Sequence, residues 1–198
     1  MSVLWHFVRW LLGLAPAEVW TTSAERECLT RHVSGRLKVV EIGVWHGGTS
    51  KTLRAAIARD GIFYAIDPYP AGRLGISIPR IVGHAEVARI SNGEVVWIRQ
   101  TGVAAAASDF VRTAAPFDFV FIDNAQTRET LEAEWTAWAP LVAPGGIIAV
   151  HDSVQASTDT GPEQTSVAYA RETVLTDRRF EILETVDSLS VLQRRPSP

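Results

Sequence analysis

The sequence predicts an α/β fold: an open, mostly parallel sheet with helices on both faces. Three observations carry this. Apolar runs of strand length recur along the chain, and most are separated by segments of helical periodicity. The first, KVVEIGVWHGGTS at residues 38 to 50, is a strand ending in a glycine-bearing loop that opens directly into a helix-forming sequence. Carboxylates stand at or near the ends of such runs, at Glu41, Asp67, Asp123 and Asp152.

The composition suits one domain over residues 1–198, with a helical cap over 1–35 and the sheet-bearing core over 36–198. At 46% hydrophobic residues, the 198-residue chain can bury a sizeable core. A formal net charge of -3 argues against a nucleic-acid partner, which calls for a basic face. The one cysteine, Cys28, can form no internal disulfide and implies a reducing, cytoplasmic compartment. Beside Leu29 in a helical stretch, it reads as a packing residue rather than a catalytic thiol.

Residues 1 to 14 are apolar, led by Trp5, Phe7, Trp10 and Leu11. The run is shorter than the ~20 residues a spanning helix needs, and His6 and Arg9 interrupt it. It is expected to pack on the domain or on a second subunit, with exposed Trp5 and Trp10 favouring a dimer. A peripheral membrane contact or a lid over substrate is the alternative. Pro16 closes the segment, and Thr22-x-x-Glu25 forms a capping box for a helix through His32 that Gly35 ends.

The central strand runs from Val39 to Val44, with Val, Ile and Val suited to burial, and Thr49 or Ser50 placed to cap the next helix through Arg59. Asp60-Gly61 turns into a second strand, Ile62 to Ile66, ending at Asp67-Pro68. An acidic residue there commonly meets ribose hydroxyls in open α/β folds. Residues 69 to 80 form a Gly/Pro-rich loop in which Tyr69 and Arg73 are candidate substrate contacts. A helix over 81–90, an Asn92-Gly93 turn and a third strand over 95–99 follow, then Gln100, Thr101 and Gly102 and a helix over 104–111.

Phe117 to Asp123 reads as a fully buried strand ending in a carboxylate, and the helix over 127–139 puts Leu131, Trp135 and Trp138 on one face. Pro144-Gly145-Gly146 turns into a fifth strand over 147–150 that ends His151-Asp152-Ser153. A polar loop over 154–163, a helix over 164–177, two strands over 180–186 and 189–193 and a frayed end over 194–198 complete the chain.

The glycine loop discriminates between ligands. A dinucleotide turn needs G-x-G-x-x-G, but Trp45 stands at the second glycine and would obstruct a pyrophosphate. What remains, Glu41-x-Gly43-x-x-x-Gly47, resembles the first motif of the class I S-adenosylmethionine (SAM)-dependent methyltransferases, a Rossmann-like superfamily. The order strand-Asp123, helix, Leu141-x-x-Pro144-Gly145-Gly146, strand-His151-Asp152 resembles the later motifs of small-molecule and sugar O-methyltransferases. It is most like the macrocin-type and cephalosporin-hydroxylase-like branch, and the resemblance covers roughly residues 22 to 153.

The resemblance implies an antiparallel C-terminal strand beside the fifth, and methyl transfer to a hydroxyl of a small molecule or sugar. It implies SAM contacts from Glu41, Gly43, Val44, Trp45, His46, Gly47, Thr49, Ser50, Asp67, Pro68, Gln100, Thr101, Gly102 and Asp123. In the metal-dependent branch, carboxylates at Asp123 and Asp152 would hold Mg²⁺ or Mn²⁺, hard ions suited to oxygen ligands. That branch carries Asp-x-Asp-His-x-Tyr, whereas this chain reads Asp123-Asn124-Ala125-Gln126-Thr127-Arg128, so Gln126 takes the place of the catalytic base. Three alternatives stay open: His151 (ordinary pKa near 6.5) or His46 as base, the metal alone, or a non-catalytic domain that binds SAM as a partner subunit; His151 is also open as a softer metal ligand or a packing residue behind the site. A metal-free O- or N-methyltransferase using His151 belongs to the first.

Overall fold

The computed structural model describes residues 3–72, 75–155 and 164–196. Arg73 and most of the polar loop over 154–163 therefore lie outside the described residues. Seven strands form one sheet among those described: β1 (Lys38–Ile42), β2 (Ile62–Ile66), β3 (Glu94–Ile98), β4 (Phe117–Ile122), β5 (Val142–Val150), β6 (Phe180–Val186) and β7 (Leu189–Arg194). Their order across the sheet is β3-β2-β1-β4-β5-β7-β6. The first five run parallel, and β7 enters antiparallel between β5 and β6, as expected.

The inner strands are mostly apolar because both faces are covered, the usual condition of a parallel sheet, with Glu41 of β1 the buried exception. On one face Val40, Ile42, Val120 and Ile122 pack against α5 (Gly102–Ala107), α6 (Asp109–Ala114), α7 (Arg128–Trp138) and α8 (Thr165–Tyr169), the last continued by a π-helical turn over Ala170–Val174. On the other, Val39, Phe119 and Phe121 meet Leu29 of α2 (Ser23–Val33) and Leu53 of α3 (Gly48–Ala56). Trp138 is fully buried in the first layer, where truncation to alanine typically costs about 3–5 kcal/mol.

Cap chemistry explains where the helices start. Thr22 and Glu25 form the predicted capping box, Thr22 Oγ1 accepting the Glu25 amide and Glu25 Oε2 accepting the Thr22 amide. Thr127 and Thr101 cap α7 and α5. The helix expected over 104–111 is two helices, because Ser108 ends α5 and its hydroxyl caps α6 by accepting the Val111 amide. Neither Thr49 nor Ser50 caps α3. That helix starts at Gly48 behind a left-handed Gly47, and Thr49 is hydrogen-bonded to Thr21 instead.

Two further boundaries differ from expectation. β5 begins at Val142, because Pro144-Gly145-Gly146 is carried within the strand as a break in its register with β4. Arg194 belongs to β7 and donates to the Pro140 carbonyl, so it is not part of a frayed end. At the other terminus α1 (Val3–Leu11) packs on α4 (Ile78–Ala88), where Trp10 meets Val82 and donates its indole N–H to Glu86 at 2.8 Å. Trp10 is therefore buried, and of the two tryptophans expected at the surface only Trp5 is exposed. No helix among the described residues is long and apolar enough to cross a membrane.

Candidate active site

The strand order reverses between β1 and β4, and ligands of open α/β sheets bind beyond the strand ends at such a point. A staggered row of backbone bonds sets the residues there. Gly43 donates to Ile66, Asp67 to Ile98, Asp123 to Ile42 and His151 to Ile122. Four expected site residues thus leave the sheet along one edge.

Gly43 has φ +94°, and a Cβ there would lie 2.9 Å from the Asp123 carbonyl, so only glycine brings the loop this close to β4. Behind it, Glu41 is completely buried with both oxygens lacking a partner in the chain. Burial drives its carboxyl well above the usual range, Ser50 relieves this in part, and Asp123 and Asp67 add to it. Asp67 is tied to the loop instead: Oδ2 accepts the amides of Val44 and Trp45, and Oδ1 that of Tyr69. Of the roughly four lone-pair sites on a carboxylate, three are thereby engaged and one is open. An orphaned buried carboxylate, a glycine cradle and one free acceptor fit the ammonium and ribose of SAM.

The densest chemistry lies where β4 and β5 end. His151 Nδ1 stands 2.9 Å from Asp123 Oδ1 and 3.5 Å from Asp152 Oδ2, and its Nε2 stands 3.3 Å from Glu25 Oε2. Glu25 also accepts the backbone and side-chain donors of Ser188 through Oε1. Burial works against a charge on His151, but hydrogen bonds to Asp123 and Glu25 and the surrounding carboxylates raise its pKa to about 10. Burial alone would raise Glu25, yet His151, Thr22 and Ser188 hold it at about 2. Asp123 is raised by burial against the pull of His151.

Both ring nitrogens of His151 face carboxylates, which makes the ring more basic than a free imidazole. Asp123 and Asp152 both stand against Nδ1 of His151, at 2.9 and 3.5 Å, so a cation held by the two carboxylates would have to compete with that ring for them.

A cavity of about 550 Å³ runs over this edge, lined by Gly43, Trp45, Asp67, Asp123, Asn124, Gln126, His151 and Asp152, with Trp20 and Gln164 at its side. A smaller one of about 140 Å³ adjoins it and shares Trp20, His151, Asp152 and Gln164, adding Glu25, Asp187 and Ser188. The structure thus brings together Gly43, Trp45, Asp67, Asp123, His151 and Asp152. Gln100, Thr101 and Gly102 do not line this cavity. Thr101 caps α5, and Gly102 packs against the carboxylate of Glu134, which a Cβ would meet. Val44, Gly47, Thr49 and Ser50 shape the loop from behind, and Pro68 accepts from Arg99 through its carbonyl. His46 is buried and stacked on both His6 and Trp45, and burial lowers its pKa. Tyr69 is no surface contact: it is buried with its hydroxyl against Gly83.

Sequence reasoning missed Glu25, Trp20 and Gln164 as site residues. The capping box around Glu25 was visible, but nothing in the sequence places the N-terminus of α2 against the end of β5.

Residues 40–153, more than half of the chain, match the model of a family described as a methyltransferase domain. No curated protein sequence matches the chain. Among solved structures, a Corynebacterium glutamicum protein superposes with a TM-score of 0.69 at 16% identity, covering 96% of this chain and 88% of that one. An O-methyltransferase from Bacillus cereus in complex with S-adenosylhomocysteine (SAH) gives 0.61 at 20% identity, covering 94% and 87%. The O-methyltransferase TomG from Streptomyces achromogenes, involved in tomaymycin synthesis and in complex with SAM, gives 0.61 at 21%, covering 96% and 87%. At these identities the likeness is one of fold. With the family matched across the glycine loop and the β4 and β5 edge, the chain belongs to the methyltransferase-domain family.

Proposed function

We propose that the chain transfers the methyl group of SAM to a hydroxyl of a small metabolite or sugar, without a metal at Asp123 and Asp152. The observation that carries this reading is the ring of His151 at the junction of the two cavities, its Nδ1 2.9 Å from Asp123 and its Nε2 3.3 Å from Glu25. SAM supplies a methyl group already activated by its sulfonium charge, so the protein's part is orientation and proton handling. Gly43 and Trp45 of the glycine loop and the open lone pair of Asp67 receive the cofactor in the larger cavity, with Glu41 buried behind them. The acceptor enters the smaller one, beside Trp20 and Gln164. His151 lowers the cost of the alkoxide by its fixed positive charge, the task a metal performs in related enzymes. Asp152, which lines both cavities, takes the proton.

The O-methyltransferases among the similar structures support oxygen as the methylated atom. The cavity sizes support a small acceptor. The test is SAH release over a panel of hydroxylated metabolites, in the presence of a strong chelator. Full activity in chelator is expected, with His151→Gln and Asp152→Asn each losing about 10²–10⁴-fold in turnover while SAH affinity is kept. Activity abolished by chelator and restored by Mg²⁺ would overturn the metal-free reading.

A further inference from the structure

We propose that His6, Glu18 and His46 form a binding site for a divalent transition-metal ion, Zn²⁺ foremost, that fastens the N-terminal helix to the glycine loop. The site lies outside the catalytic cluster and does not depend on the methyl-transfer reading.

Three separate stretches supply it: His6 comes from α1, Glu18 from the segment joining α1 to α2, and His46 from the loop after β1. One ligand atom from each lies within 4.8 Å of the other two. Nδ1 of His6 stands 3.9 Å from Glu18 Oε1, and Nδ1 of His46 stands 3.6 Å from Oε2 of the same carboxylate. Donors around tetrahedral zinc are about 3.4 Å apart, given bonds of about 2.0–2.2 Å. Small side-chain rotations therefore close the set on an ion. Two imidazoles and a carboxylate suit zinc and leave a fourth position open.

Two further features favour an ion over a plain hydrogen-bonded cluster. Among the described residues the ion pairs of Glu18 are with the two histidines, and none is with Lys or Arg. The other contacts of the set are with neutral donors, which an ion would replace: Nδ1 of His46 accepts the Glu18 amide at 3.4 Å and Glu18 Oε2 accepts the Trp45 indole N–H at 3.2 Å, while Nε2 of both rings is buried without a partner. A second cluster, Cys28, His32 and Glu184, has comparable donors. There Arg31 already stands 2.6 Å from the Glu184 carboxylate and occupies the place of a cation. That cluster serves as the control.

His46 stacks on Trp45, whose centroid is 4.9 Å away and which lines the larger cavity. An ion here ties one wall of that cavity to α1.

The test uses the tag-free, full-length chain stripped of metal and titrated with Zn²⁺ against a chromophoric chelator. One zinc per chain is expected. His6→Ala and Glu18→Gln should each weaken it by at least about 10-fold, and His32→Ala should leave it unchanged. Unaltered far-ultraviolet circular dichroism of Glu18→Gln separates lost ligation from lost folding. Loading with Co²⁺ should give the visible bands of a tetrahedral site without a thiolate charge-transfer band. Absence of uptake by the wild type, equal affinity in both ligand variants, or a thiolate band that His32→Ala removes would each overturn the proposal.

Discussion

At the scale of single residues, the Glu25–His151 pair sets a pH dependence with a definite sign. Glu25 is lowered to about 2, so its contribution to stability is present above its unfolded value and lost as pH falls toward 2. His151 is raised to about 10, so its contribution is complete below its unfolded value near 6.5 and lost as pH rises through 10. Both contributions are therefore whole only in mildly acidic solution, roughly between pH 4.5 and 6.5. The melting temperature should fall steadily from about pH 6.5 to 10, and His151→Gln should flatten that slope. Thermal melts of both proteins across this range check it. A slope unchanged in the variant would show that His151 is not the charged partner of Glu25.

At the scale of elements, α2 links helix capping to the active site through one side chain. Glu25 accepts the Thr22 amide, closes on Ser188 between β6 and β7, and meets His151 at the end of β5. Thr22→Ala should lower stability by about 1 kcal/mol in urea titration, whereas Thr22→Ser should keep most of it. The capping box was legible because its spacing is local. Its position was not, since the Glu25–His151 contact joins residues 126 apart in sequence, and only the assembled sheet brings them together. The split at Ser108 was hidden for a related reason: the hydroxyl competes with the helix for its own backbone, and helical periodicity does not register that.

At the scale of the whole molecule, the parallel core was the most legible part. Strands covered on both faces are written as unbroken apolar runs, as in Phe119-Val120-Phe121-Ile122, and a carboxylate follows two of the central ones. Asp67, Asp123 and Gly43 accordingly stand just beyond their strand ends. Charge states were out of reach, because His151 titrates according to three carboxylates drawn from different parts of the fold. The contacts of Asp123 and Asp152 with His151 were hidden for the same reason, since they join residues from two strand ends. The packing of Trp10 under α4 was likewise a tertiary fact, decided by an acceptor at Glu86.

The buried, partnerless Glu41 has a calorimetric consequence. Burial favours the form of this carboxyl that carries its proton in the ligand-free protein. On the resemblance that pairs Glu41 with the ammonium of SAM or SAH, ligand binding stabilises the ionised form and expels that proton into the buffer. Titration with SAH should therefore be more exothermic in a buffer of high ionisation enthalpy than in one of low ionisation enthalpy. Glu41→Gln should remove that difference. The cofactor would then bind more weakly as the solution becomes more acidic, although its own ammonium charge does not change there.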